Sequence, residues 1–349
     1  MSIDALRQPG KAELPDFIGE IFVTGSLPLK GRIALVTGGS RGVGKGVAIG
    51  LAEAGATVIV TARTRDNGAS QWPGSLEETI KAIRRAGGEG LGLLCDHSND
   101  ASVEAAFARI NADYGRLDIL VNNAFAAPDV MPVNVPFWKV PVSLWDTLHN
   151  VGLRSHFIAS QFAVPLMLPQ RRGLIVNTSS GGGVRYTFNV PFGVQKAGVD
   201  RMARDMAHEL KPYGIAAVSI WPGYIKSEKL EAQPDRVPPA LARLIAERGE
   251  TPVFVGRAVA ALAADPDVME KTGSILLASE LAAEYGFTDL DGKVPPPPSR
   301  DPAPLSVFKP AGHRMRVAGP AKAAPGPFGA SFTSSASCRR QDPYRGYRR

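Results

Sequence analysis

The sequence predicts an α/β protein, a single domain built on a doubly wound parallel sheet of about seven strands. Three observations carry that expectation. From Arg32 onward, short apolar runs alternate with segments whose apolar residues recur at helical spacing, the pattern of parallel strands covered by helices on both faces. The first strand leads through a glycine-rich turn straight into a helix. At 349 residues the chain is also long enough to bury one large core, or one domain with appendages.

The opening unit is residues 33–50, I-A-L-V-T-G-G-S-R-G-V-G-K-G-V-A-I-G. Residues 33–36 suit a buried strand and residues 37–44 a turn. Val43, Val47, Ile49 and Leu51, with Ala48 and Ala52, then fit the packed side of a helix. Strand, turn and helix in this order aim the unpaired N–H groups of the helix start at an anion, so a phosphate belongs there. A nucleoside-triphosphate loop would use Gly39, Gly44 and Lys45, but it needs Ser or Thr next, and position 46 is Gly. A dinucleotide turn needs glycines where the chain bends, approaches pyrophosphate and packs helix on strand. Gly38, Gly42 and Gly44 supply them, with Ser40, Arg41 and Val43 between them as further contacts.

The remaining elements follow in order. Residues 1–30 mix Pro, Gly and charge and read as a flexible arm before the domain, which spans 31–293. Strands are expected at 56–62, 91–95, 117–121, 174–178, 215–221 and 274–278. Helices are expected at 76–86, opened by a capping box of Ser75 and Glu78, and at 102–114. A long helix is expected within 144–167, and another over 192–210, where Val199, Met202, Met206 and Leu210 recur at helical spacing.

Charge has to be divided by region. Residues 294–349 hold ten Lys and Arg against Asp301 and Asp342, which leaves residues 1–293 near neutral. This Pro/Ala/Arg-rich tail opens with four prolines and cannot bury enough apolar surface to offset its ordering entropy, so disorder is expected. Its basic residues suit a solvated tail better than a nucleic-acid or surface binder, because proline interrupts them. Cys95 and Cys338 make no disulfide framework, and no apolar run approaches the length of a membrane span. A cytoplasmic protein is expected. His97, His149, His156 and His208 lack ligand-like spacing for a metal.

The end of the second strand bears on the cofactor. An acidic side chain there would bond the ribose 2′-hydroxyl of NAD, but the chain reads T-A-R-T-R, with Arg63 in that region. Arg63, with Arg41 from the glycine turn, suits a 2′-phosphate, so NADP(H) is expected over NAD(H).

The T-G-x-x-x-G-x-G turn and the motifs that follow it resemble the short-chain dehydrogenase/reductase family, over residues 30–293. Asp96 matches the family's aspartate beside the adenine ring. Asn122, Asn123 and Ala124 match its N-N-A-G, with Phe125 in place of the glycine. Pro222 and Gly223, with Ile225 inside the segment and Ser227 for the usual threonine, match the P-G-x-x-x-T stretch that closes over the carboxamide. The resemblance implies a Rossmann-type sheet, a homo-oligomer (dimer or tetramer) pairing through the helix of Lys196, and a small-molecule carbonyl or alcohol substrate.

It also implies a catalytic set. The family uses a serine after the fifth strand and a tyrosine four residues before a lysine. Ser180 takes the serine position when counted along the strand, although spacing to the helix also admits Ser179. Lys196 is present, but the tyrosine position is Phe192. A relay asparagine in the fourth helix is also missing: the matching segment is V-G-L, with Gly152, and Asn150 would face another side of the helix. Tyr186 and Tyr224 are candidate substitute donors or pocket walls. Phe137, Trp138, Trp145 and Tyr224 form either an apolar pocket for a bulky carbonyl compound or ordinary core.

The expected function is hydride transfer between NADP(H) and a ketone, aldehyde or secondary alcohol, weakened or altered by Phe192. The alternatives are a catalytically inactive NADP-binding scaffold or sensor and, behind it, a binder acting through the basic tail.

Overall fold

The computed structural model describes residues 27–298, apart from 69, 130, 134, 233 and 238. Seven strands form one parallel sheet: β1 (Ile33–Thr37), β2 (Thr57–Ala62), β3 (Glu89–Leu94), β4 (Ile119–Asn122), β5 (Gly173–Thr178), β6 (Ile215–Trp221) and β9 (Ile275–Leu277). Their spatial order is β3-β2-β1-β4-β5-β6-β9. The order reverses between β1 and β4, which opens a crevice at their carboxyl ends.

Alternate residues of the same strand serve different cores, as two-sided burial requires. Ala34, Val36, Val58, Val60, Val176 and Val218 pack beneath α1 (Gly42–Glu53) and α9 (Pro252–Ala264). Leu35, Ile59, Leu120 and Ile175 pack under α3 (Asp100–Tyr114), α5 (Ser155–Met167) and α6 (Val190–Leu210). α2 (Leu76–Arg85) closes the first face near β3. The most extensive helix contact is α1 on α9. It is a close approach: a Cβ at Gly46 would collide with the main chain of Pro252. The residue that excludes a triphosphate loop is therefore a packing glycine.

Several expectations need correction. The helix expected within 144–167 is two helices, α4 (Val142–His149) and α5, divided by a π-type turn at Asn150–Arg154. Gly152 there has φ 139°, a conformation that L side chains rarely adopt, so the helix breaks and Asn150 is no longer an interior helical position. Ser75 does cap α2, accepting from the Glu78 N–H. Glu78, however, does not return the bond: its carboxylate takes the Asn67 side chain at 2.8 Å. Within residues 27–30 of the expected loose arm, Leu29 is fully buried while its neighbours are exposed. The rest of that arm, and the tail beyond 298, lie outside the described residues.

The sequence reading also passed over a stretch after β6. There β7 (Tyr224–Ile225) leads into α7 (Glu228–Ala232) and α8 (Pro239–Arg248), and β8 (Gly249–Glu250) returns to pair with β7 in parallel. After α9 and β9 comes α10 (Ala278–Tyr285). Among the described residues, no helix is long and apolar enough to cross a membrane.

Candidate active site

The sequence-predicted residues gather along the carboxyl ends of β1, β2, β4, β5 and β6. On the phosphate side, the turn from Gly38 to Gly44 joins β1 to α1. A Cβ on Gly44 would stand 2.5 Å from the Gly38 carbonyl, so the turn needs a bare α-carbon there. Ser40 is buried, while Val43 packs partly buried against the core. The first N–H of α1, at Gly42, already holds an oxyanion: it donates to Glu228 Oε2 at 2.8 Å. Lys45 Nζ lies 3.5 Å from the other oxygen of that carboxylate.

Arg41 and Arg63 stand near one another at this end. Arg41 Nη2 donates to the Gly74 carbonyl at 2.9 Å, while its Nε is buried without a partner. Burial lowers the Arg41 pKa and Arg63 pushes the same way, with Glu228 and Glu78 opposing. Arg63 is exposed and also faces Asp96. Burial works to raise the Asp96 pKa, but two bonds from Ser98 and the charge of Arg63 outweigh it and hold the group below the carboxylate norm. The residues present fit a phosphorylated dinucleotide: a helix start that takes an oxyanion, and two guanidinium groups with no acid closing β2.

Between the two sides runs the Asn122–Ala124 stretch. Thr37 Oγ1 accepts from the N–H groups of Asn123, at 2.9 Å, and Ala124, at 3.0 Å. The Asn123 amide donates back to the carbonyls of Thr37 and Gly38. His156 sits against the Ala124 carbonyl, and burial depresses its pKa to about 3. Asn122 is buried and donates to Ser160 and Asn177.

On the proton side, α6 presents Phe192 and Lys196. Asn189 caps this helix by accepting from the Phe192 N–H. Lys196 is almost fully buried and its Nζ donates to the Thr178 carbonyl at 3.3 Å. The same ammonium lies 4.9 Å from the Phe125 ring centre and 5.8 Å from that of Phe192. Burial lowers its pKa to about 8, against the pull of Asp200. Ser179 turns its hydroxyl to the Lys196 carbonyl. Ser180 Oγ instead accepts from the Gly182 N–H at 3.2 Å, and a Cβ built on Gly182 would meet the Phe192 ring at 2.6 Å and that oxygen at 3.2 Å.

Three of the residues expected to depart from the family pattern, Phe125, Gly152 and Phe192, pack in one chain of contacts. Phe125 and Phe192 meet edge to face at 6.3 Å. A Cβ on Gly152 would come within 3.0 Å of the Phe125 ring and 2.5 Å of Gln195 Nε2. The Gln195 amide donates to the Gly152 carbonyl at 2.8 Å, which occupies the main-chain acceptor at the helix break. Leu144, Leu148, Met131, Val140 and Phe188 extend the apolar cluster around Phe192. Phe137 and Trp138 are not ordinary core: both are about two-thirds exposed and meet edge to face, while Trp145 stacks on His149 and the two line a surface cavity.

Pro222 and Gly223 follow β6, and Ile225 packs partly buried against the core. Three residues at this site escaped the sequence reading: Glu228 on Gly42, Gln195 on Gly152, and Glu250 beneath Gly223. No local motif marks them. Among the described residues, no group of three His, Cys, Asp or Glu side chains is arranged to hold a metal ion.

A parallel sheet with this strand order and this crevice is the Rossmann-type, dinucleotide-binding arrangement, and comparison with known proteins gives its family. The short chain dehydrogenase profile matches residues 32–237, and the chain belongs to that family. It is similar to dehydrogenase/reductase SDR family member 1 of Mus musculus, 40% identical over 275 residues, or 76% of this chain and 85% of the relative. The Homo sapiens protein of that name is 38% identical over the same shares. The 3-oxoacyl-[acyl-carrier-protein] reductase of Vibrio cholerae is 33% identical across 71% of this chain and 96% of its own. Among solved structures, 7 alpha-hydroxysteroid dehydrogenase, complexed with NADH and 7-oxo glycochenodeoxycholic acid, superposes with a TM-score of 0.61 at 25% identity. That match covers 72% of this chain and 94% of the other. The family is one of oxidoreductases that use a nicotinamide nucleotide.

Proposed function

We propose that the protein binds NADP(H) in preference to NAD(H) and transfers hydride between it and a ketone, aldehyde or secondary alcohol, with proton handling weakened at Phe192. The observation that carries this reading is the carboxylate already seated on the Gly42 N–H beside Lys45, with Arg41 and Arg63 alongside. An oxyanion seat next to two guanidinium groups suits a pyrophosphate and a ribose 2′-phosphate. The resemblance of the chain to oxidoreductases of known reaction supports the rest.

In this reading the nucleotide, when bound, supplies or accepts the hydride. Gly38, Gly42 and Gly44 let the main chain approach its phosphates, Asp96 lies on the adenine side, and the Asn123–Ala124 stretch forms the floor. Lys196 holds the nicotinamide ribose and Ser180 holds the reacting oxygen. Phe192 leaves an apolar edge where a phenol would give or take the proton. Loss of a general acid costs roughly 10²- to 10⁴-fold in rate, about 3 to 5 kcal/mol of barrier. Pairing of copies through α6 and a cytoplasmic setting belong to the same proposal, as do a loose terminal arm and tail.

A second reading has its own observation. Gln195 closes the Gly152 carbonyl and Phe125 covers Lys196, so a protein that binds the nucleotide as scaffold or sensor without turnover also fits. Calorimetry with NADPH and NADH, followed by a panel of carbonyl compounds monitored through NADPH absorbance, separates them. Tight NADPH binding with turnover supports the enzyme, and binding without turnover supports the scaffold. No heat with either nucleotide removes both.

A further inference from the structure

β6 ends at Trp221 and the chain turns through Pro222 and Gly223 into an excursion that leaves at β7 and returns at β8. At the return stands Glu250, with only 1% of its surface exposed. One carboxylate oxygen accepts from the Gly223 N–H at 2.8 Å. The other lies 2.7 Å from where a Cβ of residue 223 would be, so the carboxylate fits flat against the turn only because that residue is glycine. Main-chain pairing completes the clasp: Ile225 stands in register with Glu250, and the Lys226 N–H donates to the Glu250 carbonyl at 2.9 Å.

A second buried acid supports the first. Asp289, 5% exposed, accepts from the Thr251 N–H at 2.8 Å and from the Thr251 hydroxyl. Thr251 in turn caps α9, so the segment after α10 fixes the residue next to Glu250. Among the described residues no Lys or Arg forms an ion pair with Glu250. Burying an unpaired carboxylate is costly, so the side chain at this position is held by the contact it makes with the turn. Burial and the neighbouring Asp289 raise its pKa to about 7, although the Gly223 bond opposes them. Glu250, Thr251 and Asp289 lie beyond residue 237, where the family match ends, while the turn they support lies within it.

We propose that Glu250 is a positioning residue for the nicotinamide half of the cofactor site: it sets the Pro222–Gly223 turn in place, and Asp289 holds Glu250's own strand from behind. The proposal rests on the reading that this turn closes over the nicotinamide. Glu250 touches the turn and acts through it.

The test titrates the full chain with NADPH and with adenosine 2′,5′-bisphosphate, which lacks the nicotinamide half. Glu250→Ala should weaken NADPH about tenfold while changing the bisphosphate less than about twofold. Glu250→Gln keeps a carbonyl acceptor for the Gly223 N–H and should restore most of the loss. Gly223→Ala, with Glu250 intact, should give the same selective loss and serves if Glu250→Ala fails to fold. Combined in one chain, the two alanine changes should cost little more than either alone. Equal effects on both probes, no effect on NADPH, or a Gln variant no better than Ala overturns the proposal and leaves nucleotide binding standing. A wild-type protein that binds neither probe removes the nucleotide reading and this inference together.

Discussion

The two sides of the crevice were built under different constraints. On the phosphate side the residues follow the family pattern, and each contact is made by main chain or charge: the Gly42 N–H, Lys45, Arg41 and Arg63. On the proton side the three residues expected to depart from it, Phe125, Gly152 and Phe192, pack as neighbours. Phe125 packs where a side chain on residue 152 would be, and its ring meets the edge of Phe192. Changes that fill each other's space behave as one substitution. Under the proposed function, the contrast predicts that binding and proton transfer respond to different substitutions.

The largest expected effect tests that unity. Phe192→Tyr alone should raise carbonyl reduction by about 10²-fold, the lower end of what a general acid contributes. The phenol would still face the Phe125 ring, and the Gly152 carbonyl would still be held by Gln195. Adding Phe125→Gly should bring a further gain of about tenfold. If steady-state rates show the second change adding nothing, the three departures are independent and the contrast between the two sides weakens.

Next in size is a stability effect. The folded-state pKa of Lys196 is lowered to about 8 from 10.5, so between those values the unfolded chain holds the proton more tightly than the folded one. Stability should therefore rise as the pH climbs from about 8 to about 10.5, and the full penalty of the buried charge is present below 8. Lys196→Met should stabilise the protein at pH 7 by roughly 1 to 2 kcal/mol, a discounted figure because Asp200 loses its nearby cation. That advantage should shrink through the same pH window. Denaturant melts of both proteins at pH 7 and 10 measure it, and a constant difference would mean Lys196 is not the group responsible.

A smaller effect lies on the phosphate side. Arg63 is exposed, so its charge is partly screened, and Arg63→Ala should weaken NADPH by about tenfold while NADH binding stays nearly unchanged. Equal losses for the two nucleotides would place Arg63 away from the 2′-phosphate and return the choice of cofactor to Arg41 alone.

What the sequence reveals follows the same division. Strands buried on both faces leave apolar runs, so all seven were legible within a few residues. Motifs whose work is done by backbone, such as the Gly38–Gly44 turn, were legible because only certain residues permit the bend. α9 was not: it approaches α1 most closely at Pro252 and Gly256, and both residue types read locally as breakers. Nor was the break at Gly152, because apolar residues continue on both sides of it. Glu228 and Glu250 act on residues 186 and 27 positions away, and nothing in their own neighbourhoods announces it.

Glu228 offers the finest probe of the phosphate side. Its carboxylate takes the place on α1 where a phosphate oxygen is expected, so a nucleotide has to displace one anion to seat another. The displaced group also gives up its contact with Lys45, which then becomes free for the phosphates. Glu228→Gln removes the negative charge and keeps a weaker acceptor, so it should tighten NADPH and NADH alike by about fivefold. Because the competition is between charges, the gain should shrink as salt rises. Unlike Arg63→Ala, this change should not alter the preference between the two nucleotides. A tightening confined to NADPH would put Glu228 next to the 2′-phosphate, and a loss of affinity for both would make its carboxylate part of the site instead of a competitor for it.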